Sequence, residues 1–242
     1  MDWSLILPTR ERTKKLGDML DSIERTRSDM RTEIEVLVAF DLDDQETACW
    51  IGESDPMTYC PEPGVLVARG AKFFACERAT NFSRDYYNML YRHSTGRYIM
   101  ALNDDTRFAT PGWDRMALIM LDVAKARWPD GCVYARCRDG YGGLFGCFPI
   151  LSREAVELQG YFFHEGFKAW GADISLSRVW TALHRAVDLP FTVEHVSHHT
   201  GLDDAPDAVH LRMKELSNTG YAHNASAPEA ARLRELLKNK GG

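Results

Sequence analysis

Arg97-Tyr98-Ile99-Met100-Ala101-Leu102-Asn103-Asp104-Asp105 is the stretch that decides the fold. Its first six residues are mostly apolar and read as a buried strand. Two adjacent carboxylates stand where that strand ends. In an open α/β sheet, ligands bind outside the carboxyl ends of the strands. Side-by-side anions repel unless a cation or hydrogen bonds offset the repulsion. A divalent metal holding a diphosphate is one such offset. The plainer alternative is a turn shaped by acidic side chains, or a cap on the next helix.

Upstream, strand and helix signals alternate. Leu5-Ile6-Leu7 is a short apolar strand that Pro8 is expected to stop, and Leu16, Met19, Leu20 and Ile23 follow at helical spacing. Ile34 to Phe40 reads as a second strand leading into Asp41, Asp43 and Asp44, and Val65-Leu66-Val67 as a third. Phe82, Tyr86, Met89 and Leu90 mark one helix face, with Asn81 or Thr80 as its cap. After the central strand, Thr110-Pro111 predicts a helix start, with Met116, Ile119, Met120 and Val123 on the buried face. Such alternation implies an α/β fold with a mainly parallel, doubly wound sheet. Neither G-x-G-x-x-G nor G-x-x-x-x-G-K-[ST] occurs, which argues against a dinucleotide enzyme and a P-loop NTPase.

The second half is less regular. Cys132 to Arg136 and Leu144 to Ile150 read as strands, with Gly140, Gly142, Gly143 and Gly146 crowding around them. Ser152 is placed to cap a short helix through Leu158. Gly171-Ala172-Asp173 precedes a helix with Ile174, Leu176, Val179, Leu183 and Val187 apolar. Phe191 to Val196 reads as the last strand, with His195, His198 and His199 at and beyond its end. Two amphipathic helices, starting at Pro206 and Pro228, are expected in the tail.

The formal net charge of -6 argues against broad nucleic-acid binding, though not against a local basic groove. No apolar run reaches the length of a membrane span, and Met1-Asp2-Trp3-Ser4 lacks the basic and apolar regions of a signal peptide. A cytoplasmic location is therefore expected. The six cysteines form no C-x-x-C pair and read as reduced, structural thiols.

In their order and spacing, these pieces resemble a nucleotide-sugar-dependent glycosyltransferase of the GT-A fold, near family 2. The resemblance runs over roughly residues 3 to 200. Pro8-Thr9-Arg10-Glu11-Arg12 resembles the P-T-x-x-R turn after the family's first strand. Asp41-Leu42-Asp43-Asp44 resembles the strand end that carries a base-contacting aspartate. Asn103-Asp104-Asp105 resembles the D-x-D motif, with Asn in place of its first Asp. Trp170-Gly171-Ala172-Asp173 resembles the W-G-x-E-D acceptor segment, with Ala where Glu is common.

The resemblance implies a Rossmann-like sheet with helices on both faces. It implies one GT-A domain over 1–200, donor half 1–105 and acceptor half 106–200, followed by a helical appendage over 201–242. It implies a metal-dependent, inverting hexosyltransferase that moves a sugar from a UDP-sugar to an acceptor hydroxyl. Mn²⁺ or Mg²⁺ would neutralise the departing diphosphate. Asp105 is the direct metal ligand in this reading, joined by His195 or His198. Asp104 contacts the donor ribose or a metal-bound water, and Asn103 adds hydrogen bonding but no charge. Pro8, Thr9, Arg10, Arg12, Asp41, Asp43 and Arg84 complete the donor site. For Asp43 the competing reading is a surface turn, and for Arg84 a helix-face ion pair.

Asp173 is the expected base, held at a helix start whose amides should keep its pKa low; the alternative role is an N-cap. Trp170, Gly171, Tyr141 and Phe145 are expected on the acceptor side, within an aromatic stretch that includes Phe163. A glycan or a hydroxymethylated pyrimidine in DNA is the acceptor class the resemblance suggests, with Arg136, Arg138, Arg153 and Lys168 available for a backbone. Two other functions compete. A sugar-nucleotide pyrophosphorylase should carry a glycine-rich loop after the first strand, which is absent here. A non-catalytic sugar-nucleotide-binding module would fit the departures at Asn103 and Ala172.

Overall fold

The computed structural model describes residues 1–28, 32–52, 65–139, 146–196, 207–217 and 219–240. Tyr141, Phe145, His198, His199 and Pro206 lie outside the described residues. The strands are β1 (Trp3–Thr9), β2 (Ile34–Asp41), β3 (Val65–Ala68), β4 (Ala71–Cys76), β5 (Tyr98–Ala101), β6 (Thr106–Phe108), β7 (Tyr134–Arg138), β8 (Ile150–Ser152) and β9 (Ala186–His195). They form one sheet in the order β3-β4-β2-β1-β5-β8-β7-β9-β6. β4, β2, β1 and β5 run parallel, and β7 and β9 run parallel. β3, β8 and β6 run against their neighbours. This is the mainly parallel α/β sheet expected from the alternating pattern.

The helices are α1 (Thr13–Thr26), α2 (Gln45–Gly52), α3 (Met89–His93), α4 (Trp113–Lys125), α5 (Arg153–Gln159), α6 (Ala172–Ala182), α7 (Ala208–Leu216) and α8 (Thr219–Lys240). Strand alternation sends Leu5, Leu7, Val38, Phe40 and Met100 towards Leu16 and Met19 of α1 and Trp113 and Leu121 of α4. Ile6, Leu37, Ala39, Ile99 and Ala101 point the other way, into a second core with Leu90, Val156, Trp180 and Leu233. Both faces are covered, which is why the stretches Leu5–Leu7, Val36–Phe40 and Tyr98–Ala101 are apolar on both sides of the sheet.

Several local expectations are corrected. β1 runs through Pro8 to Thr9. It pairs with β2 along its whole length but with β5 only as far as Ile6, so the missing proline N–H falls where β5 has no partner to offer. The strand parallel to β2 is β4, not the segment at Val65, which folds back as an antiparallel edge. Lys72 interrupts the apolar pattern of β4, but its ammonium is satisfied by Glu35 at 2.8 Å. The helix expected around Phe82 to Leu90 opens with π-helical turns over Ser83–Asn88 before α3. Asn81 does cap it, its side-chain oxygen accepting from Arg84 N at 3.1 Å.

α4 starts after Gly112, not at Thr110. Its buried face is Trp113, Ala117, Leu121 and Ala124, while Ile119 and Val123 are 50% and 58% exposed. The Trp113 ring sets that rotation, lying 4.3 Å from Phe108, 5.4 Å from Trp3 and 5.6 Å from Phe191 between ring centres. β7 begins at Tyr134, two residues late, and the described part of 144–150 becomes strand only at Ile150. Val187 belongs to β9, not to the preceding helix. Pro228 lies inside α8, which continues past it on the buried Ala230 and Leu233. The Ser152 cap forms as expected, accepting from Ala155 N.

The end of the sheet opposite the expected site is fixed by one buried carboxylate. Glu35 accepts from Ser4 Oγ (2.7 Å), Lys72 Nζ (2.8 Å), Thr95 N (2.6 Å) and Thr95 Oγ1 (2.8 Å). It thereby ties β1, β2 and β4 to the turn that launches β5. Gly96 in that turn has no room for a side chain, since a Cβ would come within 2.5 Å of Ser4 N. Burial pushes the Glu35 pKa up, but Lys72, Ser4 and Thr95 outweigh it and bring it down to about 2. A carboxyl depressed on folding stabilises above its unfolded pKa of about 4.3, and that stability is lost as pH falls through the folded value. We therefore expect urea stability to decline between pH 4.5 and pH 2 by up to about 3 kcal/mol from this group. In Glu35→Gln, urea denaturation should show lower stability at pH 7 and a flatter profile over the same window.

Candidate active site

The carboxyl ends of β1, β2 and β5 converge, and the turn after β1 supplies the cations. Thr9 Oγ1 donates to Asp104 Oδ2 at 2.9 Å, and Arg12 Nη1 to Asp104 Oδ1 at 2.8 Å. The same Arg12 nitrogen lies 3.5 Å from Asp105 Oδ2. The other side of the Arg12 fork grips Asp207, with Nε at 2.7 Å and Nη2 at 2.6 Å. Asp207 is also the N-cap of α7, accepting from His210 N at 3.0 Å. The β1–α1 turn places Glu11 at φ 51°, held by its N–H to Asp44 Oδ2 at 2.9 Å. Asp44 itself caps α2 through Thr47 N.

Asp104 and Asp105 are both buried, 3% and 9% exposed, so their charges need these partners. Burial and the adjacent Asp105 push the Asp104 pKa up against Arg12 and Thr9. For Asp105 burial also acts upward, but His195, Arg12 and Lys15 prevail and its pKa is lowered. Burial works to lower the Arg12 pKa, yet Asp104, Asp207 and Asp105 raise it, and it stays charged.

His195 reaches Asp105 through strand pairing. β6 begins one residue after Asp105 and pairs antiparallel with β9, with Thr106 opposite His195. Val196 N also donates to the Asp105 carbonyl at 2.7 Å. The result sets His195 Nε2 3.0 Å from Asp105 Oδ1. That oxygen is buried and takes no aligned hydrogen bond from a described residue. Two donor atoms so placed suit a divalent cation whose other ligands are diphosphate oxygens and water. Among the described residues no three His, Cys, Asp or Glu side chains form a closed metal set. Asn103 turns aside: its Oδ1 lies 2.9 Å from the Tyr87 hydroxyl.

At the end of β2, buried Asp41 is held by Arg10 at 2.8 Å and by the Tyr86 hydroxyl. Arg10 reaches Asp43 as well. Burial raises the Asp41 pKa, with Tyr86 and Arg10 opposing. Gly171 opens α6 at φ 92°, a conformation suited to glycine, and Asp173 follows in the first turn. Its Oδ1 accepts from Ile174 N at 2.8 Å. The expectation of a low pKa for Asp173 is corrected. Burial outweighs the amides and raises it, with Asp139 adding to the rise and His195 opposing.

One cavity of about 580 Å³ joins these groups. Of the residues singled out in the sequence, Pro8, Thr9, Arg10, Arg12, Asp41, Asn103, Asp104, Asp105, Trp170, Gly171, Asp173 and His195 line it. Asp43 is exposed and reaches the site only through Arg10. Arg84 is not part of the lining: it points to solvent and pairs with Asp85 at 2.6 Å, which is the ion-pair reading. Arg136 and Arg153 are engaged elsewhere, with Asp188 and with the Gly96 carbonyl. No local pattern signals that Tyr86 and Tyr87 hold Asp41 and Asn103, or that α7 forms a wall. A tyrosine on an apolar helix face looks like core, and the Arg12–Asp207 pair spans 195 positions.

No family model and no curated relative matches the sequence. Solved structures do share its fold. S. aureus TarS 1–349 in complex with UDP superposes with a TM-score of 0.54 at 13% identity, over 98% of this chain and 70% of that one. The same fragment has been solved with UDP-GlcNAc. The longer S. aureus TarS chain is spanned to 36%. The mannosyltransferase PcManGT from Pyrobaculum calidifontis, in complex with GDP-Man and Mn²⁺, gives a TM-score of 0.54 at 16% identity, over 99% of this chain and 74% of that one. The fold is thus that of glycosyltransferase structures. No described helix is long and apolar enough to cross a membrane.

If Arg12 is the shared counter-charge, Arg12→Gln should cost about 3–5 kcal/mol in urea denaturation at pH 7. Asp207→Asn should cost about 1–2 kcal/mol, because its carboxylate is partly solvated. The double variant should fall short of the sum of the two, the sign of a direct interaction.

Proposed function

We propose that this protein transfers a sugar from a nucleoside-diphosphate sugar, a UDP-sugar, to an acceptor hydroxyl in one inverting displacement. The observation that carries the reading is the convergence of Asp105 and His195 in a cavity that Asp41 and Asp173 also line. Residues 1–105 act as the donor half and 106–200 as the acceptor half. The UDP, UDP-GlcNAc and GDP-Man complexes of the structural neighbours support a sugar-nucleotide donor, and the Mn²⁺ in one of them supports a divalent cation.

In this reading Asp41 accepts the imide N–H of uracil, its orientation fixed by Tyr86 and Arg10. Thr9 and Arg12 hold Asp104 in place for the donor ribose. Asp105 and His195 would hold Mn²⁺ or Mg²⁺. When bound, the cation would neutralise charge developing on the departing diphosphate. Asp173 faces the acceptor beside Trp170 and takes the proton from its hydroxyl. A raised pKa makes Asp173 a stronger base than an exposed aspartate, provided that it is ionised.

The test is sugar-nucleotide turnover with UDP-, GDP- and TDP-sugars, in Mn²⁺ or Mg²⁺ against EDTA. We expect metal-dependent release of UDP from one donor, abolished by Asp105→Ala. Asp173→Asn should keep UDP affinity and lower transfer by about 10²–10⁴-fold. Because the base must be ionised, turnover should rise with pH through the raised Asp173 pKa and then level off; that limb should vanish in Asp173→Asn. UDP failing to bind in calorimetry would overturn the reading.

A further inference from the structure

Between α5 and α6, residues 160–171 form neither helix nor strand. The segment nevertheless carries the buried Phe162, Phe163 and Phe167, and it leads through Trp170 and Gly171 into Asp173. Main-chain groups taken from water with no ladder to pair them need partners from elsewhere. Asn88, itself only 4% exposed, supplies three of these bonds. Its Oδ1 accepts from Phe162 N and from Phe163 N, each at 2.9 Å, and its Nδ2 donates to the Phe163 carbonyl at 2.9 Å. An ionised aspartate of the same shape could accept twice but could not make the third bond.

The rest of the segment is tied to the same helix. Asn81 Nδ2 donates to the Glu165 carbonyl at 2.6 Å, and Phe82 N to the Lys168 carbonyl at 2.8 Å. The Tyr87 and Phe163 rings meet edge to face at 5.0 Å, and both line the cavity. This helix is also bonded to residues assigned to the donor. The Tyr86 hydroxyl reaches Asp41, and the Tyr87 hydroxyl lies 2.9 Å from Asn103 Oδ1. Tyr86, Tyr87 and Asn88 are consecutive, within the π-helical turns of Ser83–Asn88. Bonding from i to i+5 widens the turn, and the three side chains reach three separate parts of the site.

Resting on the transfer reading above, we propose that Asn88 is a positioning residue for the base: by clamping 162–163 to the helix that holds Asp41 and Asn103, it fixes where Asp173 stands relative to the donor. Asn88 is not part of the cavity lining, so it acts through the main chain that it holds. Transfer tolerates little displacement of a catalytic group, so loosening this clamp costs rate rather than donor binding.

The test follows the Asp173 carboxyl by carbon-13 NMR through a pH titration, its signal identified by its absence in Asp173→Asn. In Asn88→Ala the Asp173 pKa should fall, because burial is the main cause of its rise and a loosened segment admits water. Asp139 and His195, which also act on Asp173, lie after β7 and at the end of β9 and are the same in both proteins. Donor turnover should fall by about 10–10²-fold in kcat, with its rising pH limb moved to lower pH and UDP affinity in calorimetry unchanged. Instability alone, read from thermal melts, would lower the active fraction without moving either the limb or the titration. Asn81→Ser keeps a capping oxygen and removes only the bond to Glu165, so it should show the same changes at smaller size and carries the test if Asn88→Ala does not fold. An unmoved Asp173 titration in the folded variants overturns the proposal, as does an undiminished kcat with an unmoved limb. Weaker UDP binding with an unmoved titration also overturns it, by assigning Asn88 to the donor side. Failure of the unmodified protein to bind UDP would instead sink the transfer reading, while the titration would still decide whether Asn88 sets Asp173.

Discussion

One guanidinium makes the carboxyl end of the central strand possible. Asp104 and Asp105 are adjacent, buried and negative, and a strand end could not keep them so without a fixed positive charge. Arg12 provides it, 2.8 Å from Asp104 and 3.5 Å from Asp105. Its position follows from the turn after β1, where Glu11 takes a left-handed conformation secured by Asp44, the cap of α2. The far side of the same fork holds Asp207 and so determines where α7 docks. Strand end, turn, helix cap and cavity wall are therefore one electrostatic unit.

The opposite end of the sheet is arranged on the same principle with the signs exchanged. There a single carboxylate, Glu35, gathers a lysine, two hydroxyls and a backbone amide from different segments. That end is saturated, and Gly96 packs so closely on Ser4 that it leaves no space for a side chain. The site end keeps an open cavity, with Asp105 Oδ1 still lacking an aligned donor. Rigidity at one end and unmet bonding capacity at the other fit a scaffold that fixes β5 so that the residues following it can act.

What could be read from the chain was what local pattern encodes. The apolar strands, the residues at their carboxyl ends and the glycine before Asp173 all came from short stretches, and they meet in one cavity. Tertiary satisfaction was hidden. β4 was missed because Lys72 looks wrong in a buried strand until Glu35 is placed beside it. The face of α4 was misjudged because a large ring at Trp113, with small alanines behind it, sets the rotation more strongly than a stripe of Met, Ile and Val. Tyr86 passed for core because its hydroxyl partner lies 45 positions away. The direction of the Asp173 pKa depended on depth of burial, which helix-end amides alone do not reveal.

Asn103 illustrates how these constraints combine. Within the motif it resembles, its position would ordinarily carry another carboxylate. Here its side-chain oxygen is engaged by the Tyr87 hydroxyl, which also lies 3.0 Å from the Leu102 carbonyl. Asp41, Asp104 and Asp105 are already buried at neighbouring strand ends, and Arg10 and Arg12 are already committed to them. A charged residue at 103 would add a further carboxylate with no cation of its own, and a partly buried charge without a partner is costly. An amide keeps the hydrogen bond and omits the charge. Neutralisation is thereby divided: Arg12 serves Asp104 at 2.8 Å, and Asp105 has His195 beside it at 3.0 Å.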